Sequence, residues 1–178
     1  MTVLPSTVSS YAIRTAVTAV LLLFAAVRFK LPLQKYLNWR NLAFGVAVGL
    51  VVFAFWILPE QFDLAWYRRL FIVGEGGTDA VAEASSRMLV IRLFGSAFVI
   101  AIAEELFFRK WLIGFAGFWW MIVLFAIEHD RWLVGAVAGI VYGWLYLRRG
   151  LSAAIIAHMT TNLVLGLWVI HSGQWQFW

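Results

Sequence analysis

Six apolar segments, near residues 12–29, 41–58, 88–113, 117–131, 132–147 and 151–170, occupy most of the chain. A helix needs about 20 predominantly apolar residues to cross a hydrocarbon core, within a range of about 17–25. The sequence therefore predicts an all-α fold, a polytopic transmembrane helix bundle of about six membrane helices in a single domain spanning 1–178. Composition agrees. The 178 residues are 63% hydrophobic and 13% charged, with a mean hydropathy of +0.86, against about 45–50% and about 25% in soluble domains. The chain has no cysteine, so disulfides and Cys-ligated metals are excluded. The first apolar segment follows no basic n-region and ends without a small-x-small cleavage site. It reads as a first membrane helix and not as a cleaved signal peptide.

The net charge of +5 fits basic cytoplasmic turns better than nucleic-acid binding. Arg28, Lys30, Lys35 and Arg40 lie between the first two segments, Arg109 and Lys110 near the third turn, and Arg148 and Arg149 at the fifth. The positive-inside rule then puts these turns in the cytoplasm and both termini outside. The expected location is the bacterial inner membrane, multi-pass, with membrane lipid and a membrane-associated peptide or protein as partners. Oligomeric state is not legible. The one long connection, 59–87, contains an apolar and aromatic stretch at 64–73 that suits the membrane interface.

Ionisable side chains are rare inside membrane helices and mark function when present. "AIAEELFFRK" (101–110) carries four of them at the end of an apolar run. Glu105 and Arg109 are four apart and share a helix face, as an ion pair requires. Adjacent Glu104 points about 100° away and needs a partner on another helix. His129 closes "FWWMIVLFAIEH", with Phe125 one turn before it. His158 lies in "SAAIIAHMTTNLVLG", with Asn162 one turn after it. His171, near the C-terminus, carries no assigned role.

Helical rise tests whether these groups meet. Gly114 to Gly117 reads as a tight turn. Counting about 1.5 Å per residue from the turns puts Glu104 at roughly 17 Å, His129 at roughly 20 Å, His158 at roughly 13 Å and Asn162 at roughly 19 Å. The expectation is one polar layer inside a catalytic core at 88–170. Gly135, Gly139 and Gly143 give the fifth helix a small face for close packing that draws helices four and six together. A carboxylate beside histidines can deprotonate a water aimed at a carbonyl, while a His and an amide can donate to the oxyanion. Glu104, His129 and His158 also form an adequate zinc set with a position left for water, although no HExxH pair is present.

"EELFFR", "FAIEH" and "HMTTN" fit, in order, the EExxxR, FxxxH and HxxxN motifs of the CPBP family of intramembrane proteases, which includes the CAAX prenyl proteases of the Ras-converting type. The sequence resembles that family over about 95–165. Its length and the region around the paired glutamates also resemble the CAAX-related proteins associated with bacterial exosortase systems. The resemblance implies a glutamate-type membrane endopeptidase needing no cofactor. It implies that Glu104 activates water with His129, that His158 and Asn162 form the oxyanion site, and that Glu105 and Arg109 support the helix. The chain departs from the pattern in the short interval between the glutamates and the first histidine, and in Glu128 beside His129. The rival reading is a non-catalytic scaffold or a bacteriocin-immunity-type protein of the same fold. A zinc-dependent protease is the further alternative.

Overall fold

The computed structural model describes residues 38–62, 65–72 and 86–177, with helical residues also at 13, 16–20 and 24. Most of the apolar segment 12–29, and residues 73–85 of the long connection, lie outside the described residues. All the regular structure among the described residues is helical. The first long helix, α1, is Trp39–Gln61, and a short α2 covers Ala65–Phe71. The third, α3, runs without a break from Ser86 to Ala116, and its stretches Gly95–Ile100 and Glu105–Leu112 are wound as π-helix. Helices α4 (Phe118–Ile127), α5 (Trp132–Arg149) and α6 (Leu151–Ser172) follow, then a 3-10 turn at Trp175–Phe177.

Two of these helices, α1 and α6, are long and apolar enough to cross a membrane. Helix α4 has 10 residues and is apolar but short. It stops at Ile127, so His129 lies in the following turn and not within the helix. Two chain reversals are nearly as tight as they can be. Gly117 (φ 89°) alone separates α3 from α4, and Gly150 (φ 87°) alone separates α5 from α6. Only glycine enters this backbone region at no steric cost, so each helix ends there and the next begins.

The packing is set by small residues. Helices α1 and α6 run parallel and touch along Gly45 and Gly49. A side chain at Gly45 would lie 2.9 Å from Ile156, and one at Gly49 would lie 2.4 Å from the Ala157 carbonyl oxygen. The glycine face of α5 packs on α4: Gly143 meets Met121 and Phe118, Gly139 meets Phe125, and Gly135 meets His129. The three glycines meet α4 and the turn after it, while α6 meets α5 through Tyr142. Small residues let backbones approach closely where lipid supplies no hydrophobic drive.

Polar contacts fasten the two ends of the bundle. At one end the Asn41 amide donates to the Arg149 carbonyl (3.3 Å), and the Arg149 guanidinium lies 4.2 Å above the Phe44 ring. At the other, Arg131 Nε donates to Glu60 Oε1 at 2.6 Å, with its guanidinium 4.7 Å over Phe177. Gln61 donates to Gln174 (3.1 Å) beside it. Trp132 Nε1 donates to the Leu70 carbonyl (3.2 Å), holding α2 against the start of α5. The core between the two ends is built on Val52, Phe108, Met121, Phe125, Tyr142 and Leu145.

Candidate active site

The two adjacent glutamates of α3 have different surroundings. Glu105 is fully enclosed, with 0% exposure, and so is Arg109. Their Oε1 and Nη1 atoms are 3.1 Å apart. The guanidinium is not aligned for a directed hydrogen bond to the carboxylate. It sits instead among aromatic rings, with Cζ 4.1 Å from the centroid of Phe125, 5.4 Å from Tyr142 and 5.8 Å from Phe108. A guanidinium is weakly hydrated and stacks on rings, which suits it to such a cage.

Glu105 Oε1 also accepts a hydrogen bond from His158 Nδ1 at 2.8 Å. A carboxylate only accepts, so this bond fixes the proton on Nδ1 and turns Nε2 the other way. Nε2 then faces Glu104 Oε2 at 3.7 Å. That distance is too long for a direct hydrogen bond. Glu104 Oε2 has no hydrogen-bond partner, and the side chain keeps 17% exposure. The ion pair expected between Glu105 and Arg109 is present. The interhelical partner that Glu104 was expected to need is His158.

His129 stands apart. Its Nδ1 donates to the Phe125 carbonyl at 2.7 Å, capping one of the carbonyls that a helix end leaves without a partner. Its ring lies 4.6 Å from Phe125 and 5.7 Å from Trp56. Among the described residues neither a hydrogen bond nor an ion pair joins it to Glu104. Asn162 Nδ2 donates to the Ser96 carbonyl at 3.0 Å. Ser96 lies in the first π-wound stretch, where the Ala101 amide reaches five residues back to the same oxygen.

Of the groups expected in one layer, Glu105 is bonded to His158 and Asn162 to Ser96, while His129 is bonded to Phe125 and shares that ring with His158. A π turn takes more residues per turn than an α turn. Such π segments occur often at functional sites. Arg109 is also corrected: it is a buried charge and not part of a basic turn. The alternative zinc set of Glu104, His129 and His158 is not assembled. Among the described residues no three His, Asp or Glu side chains are grouped to hold a metal ion.

Sequence reasoning missed the residues behind His158. The Tyr142 ring stacks on the His158 imidazole at 4.9 Å and 22°. Its hydroxyl donates to Thr161 Oγ1 (2.7 Å), which in turn donates to the Gly49 carbonyl (2.8 Å). Gly45 and Gly49 form a GxxxG pattern in the second apolar segment, and that signal was available in the sequence. Tyr142 carried a weaker signal, as a lone phenol between Gly139 and Gly143.

Residues 86–164 match the family model described as type II CAAX prenyl endopeptidase Rce1-like. The matched segment contains all three motifs and every site residue named above except Gly49 and Trp56. No curated protein and no solved structure matches the chain.

Proposed function

We propose, from the membership of residues 86–164 in the Rce1-like CAAX prenyl endopeptidase family, that this chain is an intramembrane endopeptidase of the glutamate type. The family is one of membrane-integral proteases. The observation that carries the mechanism is the division of labour between the paired carboxylates. Both carboxylates keep an Oε2 without a hydrogen-bond partner, but Glu105 is sealed with its Oε1 engaged by Arg109 and His158, whereas Glu104 lies 3.7 Å from His158 and its side chain is partly exposed.

In this reading Glu104 takes a proton from a water molecule as the water oxygen bonds to the scissile carbonyl carbon. The carbonyl π electrons move onto oxygen, and donors aimed at that oxygen lower the barrier. The C–N bond then breaks and Glu104 returns the proton to the departing amine. His158, in its imidazolium form with Nδ1–H held by Glu105, donates Nε2–H to the oxyanion. Asn162 uses one N–H on Ser96 and keeps a second for the oxyanion. His129, with Nδ1 on a carbonyl, offers Nε2 as an acceptor to the attacking water. The substrate class is a membrane-tethered peptide of the prenylated CAAX type. The remaining apolar segments complete a bundle of about six spans in the bacterial inner membrane, with the basic turns inside.

The test is hydrolysis of a prenylated peptide by the purified chain in liposomes, read by mass spectrometry. Glu104→Gln abolishes cleavage while helicity is retained. Cleavage at the wild-type rate by that variant overturns the mechanism.

A further inference from the structure

The rotation of the His158 ring is not set by its own covalent geometry. The terminal torsion of a histidine is broad and roughly two-fold, so neighbours have to choose the ring angle. The Glu105 bond at Nδ1 sets the ring angle to within the give of one hydrogen bond, which leaves a residual libration about Cβ–Cγ. Swinging the ring moves Nε2 relative to Glu104. Two aromatic neighbours limit that swing. Phe125 meets the imidazole edge-on at 6.0 Å, and Tyr142 lies almost parallel to it at 4.9 Å.

Tyr142 is itself held. Its hydroxyl donates to Thr161, and Thr161 donates to the Gly49 carbonyl, so α5, α6 and α1 are joined by one chain of hydrogen bonds. Thr161 is 1% exposed and Tyr142 is 1% exposed, so water does not compete for these bonds. The Thr161 bond depends on the bare backbone of Gly49, where a side chain would lie 2.7 Å from Thr160 Cβ.

We propose that Tyr142 is a positioning residue for the hydrolysis: anchored through Thr161 to the Gly49 carbonyl, its ring fixes the rotation of the His158 imidazole and so aims Nε2 at Glu104. This rests on the endopeptidase reading above. Displacing a reacting group by about 1 Å costs up to about 100-fold, and a partial rotation of one helper costs less. Tyr142→Leu is expected to lower kcat about tenfold per folded molecule with KM within about twofold. Tyr142→Phe, which keeps the flat ring but loses the hydroxyl that anchors it, lowers kcat about two- to threefold. A role confined to packing lowers the yield and melting temperature of Tyr142→Leu but not kcat per folded molecule.

The experiment is steady-state cleavage of a prenylated peptide in liposomes, normalised to folded protein by size exclusion. Unchanged kcat in Tyr142→Leu, or equal kcat in Tyr142→Leu and Tyr142→Phe, overturns the proposal. Should the leucine variant not fold, Tyr142→Phe, Thr161→Val and their double variant decide. Each single change breaks the same link, so the double is expected to lose no more kcat than either alone. Additive losses, or none, overturn it. Glu104→Gln is run alongside. An active Glu104→Gln defeats the endopeptidase mechanism itself, whereas an inactive one with wild-type Tyr142 and Thr161 variants defeats only the positioning role.

Discussion

Replacing Arg109 by methionine removes a buried cation while roughly preserving the volume of its side chain. Arg109 and Glu105 are both 0% exposed and their charged atoms are 3.1 Å apart, so Glu105 would be left as an uncompensated charge in a low-dielectric core. Breaking a buried pair from one side costs about 3–5 kcal/mol. Loss of the contact with the Phe125 ring at 4.1 Å adds about 0.5–2 kcal/mol. The expected destabilisation of Arg109→Met is therefore about 4 kcal/mol or more, softened to the extent that His158 supplies positive charge to Glu105 across its 2.8 Å bond. Changing Glu105 to glutamine in the same chain removes the stranded charge and keeps an oxygen acceptor for His158 Nδ1–H. The double variant should recover at least about 2 kcal/mol relative to Arg109→Met alone, because replacing both members of a buried pair is far milder than removing one. The assay is reversible unfolding in mixed detergent micelles followed by helicity. A double variant as unstable as the sum of its single changes would refute this account of the pair.

Three further outcomes follow from the packing and the site. Gly49→Ala should destabilise by about 1–3 kcal/mol by forcing α1 off α6, since the new Cβ would lie 2.4 Å from a backbone oxygen. Gly114→Ala, with nothing within 4 Å, should be neutral or gain up to about 1 kcal/mol, and thermal melts of the two give the comparison. Glu60→Gln should cost about 1.5–3 kcal/mol by weakening its charged bond to Arg131, at 2.6 Å and 6% exposure on both sides, with cleavage per folded molecule within twofold of wild type. Treatment with a strong chelator should leave peptide cleavage unchanged, because no three donors among the described residues are grouped for a metal; loss of activity restored by added zinc would revive the metal reading.

The helical class was legible because apolar runs and glycine punctuation pointed the same way. Gly117 lies at the end of the turn suggested at 114–117, although helix α3 runs on through Ala116, and Gly150 closes α5 just beyond the basic pair Arg148 and Arg149. The Glu105–Arg109 pair was legible because a spacing of four survives local changes in helical winding. The winding of α3 was not legible, because the π segments at Gly95–Ile100 and Glu105–Leu112 are not written in single-residue propensities. His129 was taken for a residue of the polar layer, while its ring also does the work of a helix cap, which becomes visible only where α4 stops. Tyr142 and Thr161 were missed for a related reason. Their value lies in an interhelical chain to a backbone carbonyl of α1, and no sequence spacing encodes a bond between residues 112 positions apart.

The central claim is that neighbouring carboxylates divide catalysis and structure between them, and it is tested most directly by measuring cleavage rate and unfolding free energy for Glu104→Gln and Glu105→Gln side by side. The account predicts that Glu104→Gln loses about 10²–10⁴ of the rate with wild-type or higher stability. It predicts that Glu105→Gln loses stability by leaving Arg109 unpaired, while its folded fraction still cleaves. A Glu105→Gln variant that is fully stable and inactive, beside a Glu104→Gln variant that cleaves normally, would contradict it.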